Sequence, residues 1–193
     1  METQNHPKKG SQIVVSPIRD IKDIKKIKRK LKDNPRNLLL FTLGINNGLR
    51  ISDLLKIRVG DVKHLSEGEV CIIKEGKTGK QNVLGMNKES RKVLDIYLNE
   101  VDLNEDDYLF KSRQGGHLNK SYVNQLIKGW TQDIQGNYGT HSLRKTFGYI
   151  QRVKYGIGFE ILCKRFSHSN PSITMRYLGI QDREVNNILL NEI

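Results

Sequence analysis

The stretch FSHSNPSITMRYLG, residues 166–179, sets His168 nine positions ahead of Tyr177 and seats Arg176 immediately before that tyrosine. So polar a segment fits a surface helix whose tyrosine packs into the core, or a phenol held as a nucleophile against an anion. A phenol ionises with a pKa of about 10, so to attack phosphorus it needs a proton acceptor and a positive field. Three further fragments carry groups of that kind: GLRISDL with Arg50, EGKTGK with Lys77, and THSLRKTF with His141 and Arg144. Arginine offers forked donors to phosphate oxygens and keeps its charge at any working pH. Three residues apart on a predicted helical turn, His141 and Arg144 share a face. Singly, each fragment has an ordinary reading: a surface arginine, a solubilising lysine on a turn, an exposed polar pair.

The elements that would have to position these groups follow from hydrophobic period and capping signals. Residues 1–16 are polar, carry Pro7 and Gly10, and read as a flexible basic arm. Ile21, Ile24, Ile27 and Leu31 then form one helical stripe, with Lys25, Lys26, Lys28, Arg29 and Lys30 crowding the rest of the surface. That basic face is either solvated or in contact with phosphates. Asn34 followed by Pro35 starts a second helix, Asn47-Gly48 stops it, and a further helical stretch runs from about 51 to 57. The period changes in GEVCIIKEGKTGKQNVLGM, which predicts two short strands joined by a Gly-rich turn carrying Lys77. Helices resume after caps at Asn87, Asn119 and Thr140, the last ending by Gly156. Short helices near 158–166 and 171–178 and a C-terminal helix, DREVNNILLNEI, complete the chain. The fold class is α+β, mostly α, with one small antiparallel sheet inserted after the second helical unit.

The 193 residues suit one domain with a core of useful size. Lys and Arg outnumber Asp and Glu by 33 to 21, a net charge of +12 that favours an anionic partner such as nucleic acid. Residues 1–36 hold more than half of that excess. Cys71 and Cys163 lack metal-ligand spacing and suggest neither a zinc site nor a disulfide. The absence of an 18-residue apolar run or a signal-peptide pattern points away from the membrane and toward the cytoplasm.

Taken in order, the fragments resemble the tyrosine recombinase, or phage integrase, family of site-specific DNA recombinases. The family's pattern runs from an arginine in a Gly-Leu-Arg-x-Ser-[Glu/Asp] box, through a lysine on a β-hairpin, to His-x-x-Arg on a helix. It closes with a histidine or tryptophan and a tyrosine about nine residues later. Here those positions are Arg50, Lys77, His141 with Arg144, His168 and Tyr177, and the resemblance spans about residues 35–190.

The resemblance implies that Tyr177 attacks a phosphodiester to form a 3′-phosphotyrosyl link and release a 5′-hydroxyl, with neither metal nor cofactor. It assigns Arg50 and Arg144 to the non-bridging oxygens, His141 to proton acceptance, Lys77 to protonation of the leaving 5′-oxygen, and His168 to a hydrogen bond with the phosphate. Asp53 would orient an active-site arginine or lysine, while Lys145 and Arg176 join the basic helix as further DNA contacts. Two departures bear on loop shape: Ser167 stands where glycine is frequent, and VLGMN lacks the usual Val-Pro-Leu. Implied partners are double-stranded DNA bearing a recombination site, other copies of the chain in a tetrameric synapse docked through the C-terminal tail, and accessory proteins in a prokaryotic, phage, plasmid or transposon setting. A catalytic domain over 17–193 is expected. The roughly 34 residues before the first box are too few for the separate core-binding domain that relatives carry, so the chain reads as a short recombinase or as the catalytic part of a longer one. A type IB topoisomerase would use similar chemistry on a larger scaffold. A non-catalytic DNA-binding relative would be expected to have lost Arg50, Arg144 or Tyr177.

Overall fold

A computed structural model describes residues 14–180, 187–190 and 192. Helix α1 (Ile21–Lys30) starts where Asp20 accepts the Lys22 N–H, and α2 (Pro35–Asn47) starts on the Asn34 cap with Pro35 in its first turn. Of the 51–57 stretch only α3 (Ile51–Leu54) is α-helix, and a separate short helix, α4 (Val59–Val62), follows beyond it. The hairpin β1 (Val70–Lys74) and β2 (Gln81–Gly85) follows, antiparallel, with Val70 opposite Gly85 and Lys74 opposite Gln81. Asn87 and Asn119 then cap α5 (Lys88–Glu100) and α6 (Lys120–Thr131). Helix α7 (Thr140–Val153) is capped by Gly139 rather than by Thr140, because Ser142 Oγ accepts the Gly139 N–H at 3.0 Å. Helices α8 (Phe159–Phe166) and α9 (Pro171–Leu178) end the main body, and a 3-10 turn covers Asn187–Leu190.

The core forms around α2, whose Leu39, Leu40, Phe41 and Leu43 are wholly buried, packed between α5 and α7. Phe41 meets Trp130 of α6 edge-on at 6.1 Å. Burying these large side chains supplies about 1.5–3 kcal/mol each before chain entropy is counted. A second, smaller cluster joins Leu162, Phe166 and Leu178 and takes in Phe147 and Tyr177. It forms because α7 presents Gly148 there: a Cβ at that position would sit 2.7 Å from both Phe166 and Leu178.

At the N-terminus, residues 14–16 belong to the folded body rather than to an arm. Ser16 N–H donates to Asn137 O at 2.8 Å, and Asn137 Nδ2 to Val14 O at 3.2 Å. Residues 1–13 lie outside the described residues, as do Val185 and Ile193 and the side chain of Ile188 within the expected C-terminal helix. Leu189 is 79 % exposed. Among the described residues no helix is long and apolar enough to cross a membrane.

Candidate active site

Two adjoining cavities collect most of the predicted chemistry. The smaller, about 210 Å3, is lined by Arg50, Ile51, Ser52, Lys77, Lys120, Thr140, His141 and Arg144. The larger, about 540 Å3, shares Thr140 and His141 and adds Lys145 and Tyr177. His141 therefore stands between a cationic pocket and the phenol.

Local backbone geometry explains the convergence. Gly48 takes φ +60° at the end of α2, a left-handed turn that only glycine adopts cheaply, and its own position would place a Cβ 2.3 Å from Phe147. The chain reverses there and delivers Arg50 as the residue before α3. The carbonyl freed by the turn, Gly48 O, accepts from Arg144 Nη1 at 2.7 Å, and Phe166 O accepts from Nη2 at 2.9 Å. Arg144 is buried, its guanidinium 4.7 Å from the Phe166 ring centre. Two of its five N–H groups are thus used to fix it, and the others remain for a ligand.

Arg50 Nη1 lies 2.6 Å from Glu75 Oε2, off line for a hydrogen bond, and 3.9 Å from Asp53 Oδ2. Asp53 is buried and accepts the Gly76 N–H on Oδ1 at 3.0 Å, so it ties α3 to the turn that carries Lys77. Lys77 itself is exposed at the mouth of the pocket. His141 has its pKa lowered, by desolvation first and then by the charges of Lys120, Arg144, Lys145 and Arg50. The imidazole is held neutral near pH 7, able to accept a proton.

Tyr177 is half-buried, packed on the Leu162–Phe166–Leu178 cluster on one side and facing the larger cavity on the other. Its ring stands 5.6 Å from Phe166 and 5.2 Å from His168, and Lys145 Nζ lies 5.0 Å from its centre. The Oη is buried and has no hydrogen-bond partner among the described residues. Burial raises its pKa, while the positive charges of Arg144 and Arg50 pull it down. Next to it, His168 Nδ1 is 2.9 Å from Thr174 Oγ1, which fixes the ring, and burial followed by Arg144 and Arg50 lowers its pKa. Ser167, just before, has φ +54°, the left-handed region that costs a non-glycine residue about 1–2 kcal/mol.

The supporting residues differ in their surroundings. Lys145 is buried against the Tyr177 ring and lines the larger cavity. Three of the five basic residues singled out on α1 are engaged within the protein: Lys26 donates to Asp133 O, Lys28 pairs with Glu89 at 2.8 Å, and Lys30 with Asp133 at 3.0 Å. Lys25, Arg29 and Arg176 are exposed. The sequence reading overlooked Lys120 and Glu75. Lys120, the first residue of α6 after its Asn119 cap, reaches the pocket only through the packing of α6 on α7.

Comparison with known proteins places this architecture. The chain is 37 % identical over 174 residues to a probable integrase/recombinase, YoeC, of Bacillus subtilis strain 168, covering 88 % of this chain and 92 % of the relative. It is 30 % identical over 186 residues to the TnP I resolvase of Bacillus thuringiensis, 93 % of this chain but 63 % of the relative. Against a Xer recombinase of Caldanaerobacter subterraneus, XerC, it covers 43 % of the relative's length. The solved structure of the XerA recombinase shares the fold at a TM-score of 0.75 and 22 % identity, over 92 % of this chain and 67 % of that one. XerH, solved with its palindromic difH substrate after cleavage, matches at 0.73 and 18 %, over 88 % and 51 %. The phage integrase family model runs from residue 19 to residue 184, a span that holds every candidate residue from Arg50 to Tyr177, so the chain belongs to the phage integrase family of tyrosine recombinases.

Proposed function

We propose that this chain cleaves and rejoins double-stranded DNA at a specific site through a covalent 3′-phosphotyrosyl intermediate. The observation that carries the reading is the single basin formed by the two cavities, in which Arg50, Lys77, His141 and Arg144 line one side and Tyr177 the other. The phenol's unpartnered, buried Oη supports it too. An unsatisfied buried hydroxyl costs about 1–3 kcal/mol, a cost tolerated where a ligand completes the bonding.

In this mechanism the Tyr177 hydroxyl gives its proton to neutral His141 and its oxygen bonds to phosphorus. The bond from phosphorus to the 5′-oxygen breaks, and that oxygen takes a proton from Lys77. Arg50 and the unused N–H groups of Arg144 hold the non-bridging oxygens, whose charge grows in the transition state, so they favour it over the bound substrate. His168 adds one hydrogen bond to the phosphate. The phosphotyrosyl ester retains the energy of the broken bond, and attack by a 5′-hydroxyl from a second duplex restores the phosphodiester and frees Tyr177. Lys25, Arg29 and Arg176 contribute phosphate contacts around this centre.

Residues 17–193 act as the catalytic unit. Copies assemble on DNA into a tetrameric synapse, with the exposed Leu189 and Leu190 of the tail docking on a neighbour, and accessory DNA-bending or directionality proteins set the outcome. The relatives named as an integrase, a resolvase and Xer recombinases support reactions of this class. The test incubates the protein with a nicked suicide duplex carrying its own site and looks for an adduct that survives SDS. The wild type forms it, and Tyr177→Phe forms none. An adduct of undiminished yield with Tyr177→Phe removes Tyr177 from the role of nucleophile.

A further inference from the structure

Glu75 has no place in the mechanism above, yet its side chain is only 1 % exposed. A buried carboxylate stays charged only when paired and hydrogen-bonded. Here Oε2 accepts from Thr78 Oγ1 at 2.6 Å and contacts Arg50 Nη1 at 2.6 Å, while Oε1 accepts from Asn82 Nδ2 at 2.7 Å. The backbone of the same residue closes the turn: Glu75 N–H donates to Lys80 O, and Glu75 O accepts from Gly79 N–H, both at 2.9 Å. Asn82 Oδ1 in turn accepts from Arg165 Nη1 at 2.8 Å, and Arg165 Nε donates to Asn47 O at 3.1 Å. One carboxylate thus joins Arg50, the Lys77 turn and, through Asn82 and Arg165, the helix that leads to His168 and Tyr177. Arg50 keeps Nε and Nη2 without hydrogen bonds among the described residues, so the contact steadies the guanidinium and leaves its fork open.

The geometry points to Glu75 as a positioning residue for strand cleavage: a single carboxylate holds Arg50 and the Lys77 turn in register, so that a non-bridging oxygen and the leaving 5′-oxygen meet groups braced on one support. The inference rests on the recombinase reading of the basin. Burial alone would raise the Glu75 pKa, but the hydrogen bonds from Thr78 and Asn82 and the adjacent Arg50 guanidinium bring it to about 2. The brace is ionised at any pH at which DNA is cut.

The experiment uses the full chain, Glu75→Gln and Lys77→Ala, on a duplex recovered from a random pool by binding to the wild type, with its cleavage position mapped. A second duplex carries sulfur in place of the bridging 5′-oxygen at that position. A thiolate leaves without being protonated, so sulfur restores cleavage lost through an absent or misplaced acid. Glu75→Gln is expected to bind DNA within threefold of the wild type, to cleave the ordinary duplex 10–100-fold more slowly, and to regain at least tenfold on the sulfur duplex. Hydrogen exchange at the amides of residues 76–80 rises at least tenfold, with α2 and α7 unchanged. Wild-type cleavage by Glu75→Gln, or a loss that sulfur leaves untouched while it restores Lys77→Ala, overturns the inference. Failure of sulfur to restore Lys77→Ala, or no cleavage by the wild type, instead counts against the recombinase reading. In that case the exchange rates decide the brace, and unchanged exchange overturns it.

Discussion

At the scale of single residues, the basin is a set of charges tuned against one another. Lys120 is the largest charged influence on His141, and it acts by disfavouring the imidazolium. A histidine whose folded pKa lies below its unfolded value of about 6.5 contributes stability at higher pH that is lost as pH falls through that window. In the proposed mechanism the same depression keeps His141 neutral for proton acceptance, so cleavage should stay level around pH 7 and decline only below pH 6.5 or so. Lys120→Gln removes one repulsive charge, and the acid limb of the pH–rate profile should move upward. A pH–rate profile of single-turnover cleavage checks this, and an unmoved or lowered limb contradicts it. Ser167 offers a second residue-scale test. Its φ of +54° means that Ser167→Gly should stabilise the fold by about 1 kcal/mol, raising Tm by roughly 2–4 °C for a chain of this length. Thermal unfolding followed by circular dichroism measures it, and a fall in Tm would show that the serine has a compensating contact.

At the scale of elements, glycines and caps decide where the reactive groups go. Gly48 combines a left-handed backbone with a Cβ position 2.3 Å from Phe147, so Gly48→Ala should cost on the order of 2 kcal/mol or more in stability. Because Gly48 O also anchors Arg144, cleavage should fall further than the unfolded fraction explains, which single-turnover rates at a temperature well below Tm will show. A variant that is destabilised yet cleaves at the wild-type rate would separate the turn from the site. These elements were readable in the sequence where the signal is local. The Asn34-Pro35, Asn87 and Asn119 caps each act within a few residues, and each appears as expected. What was unreadable depends on partners far along the chain. Glu75, between a lysine and a glycine on a turn, looks like a solvated acid, and only the approach of Arg50 and Asn82 buries it. The basic face of α1 looked free for phosphate, but Lys28 finds Glu89 and Lys30 finds Asp133, across 61 and 103 residues. Gly85 accounts for the missing Val-Pro-Leu proline at the same scale: its N–H donates to Asn47 Oδ1 at 2.7 Å, a bond that proline cannot make.

At the scale of the molecule, the net charge of +12 supplies a field that draws in DNA before any specific contact forms. Exposed ion pairs such as Lys28 with Glu89 contribute little to stability, so α1 is held mainly by its buried Ile24 and Ile27. With Lys25, Arg29, Lys77, Arg176 and the two basin arginines on phosphates, the logarithm of the binding constant should fall with the logarithm of salt concentration with a slope of about −5. Fluorescence anisotropy between 50 and 200 mM salt measures that slope, and a nearly flat response would deny phosphate contact on this scale. The proposed function comes down to one event, the meeting of a single phenolic oxygen with a single phosphorus atom inside a ring of cations. The measurement that tests this most directly digests the protein–DNA adduct with nuclease and protease and identifies the modified peptide by mass spectrometry. The account predicts a nucleotide remnant on the peptide containing Tyr177, attached at that tyrosine through a 3′-phosphate. A remnant on any other residue, or one joined through a 5′-phosphate, would contradict it.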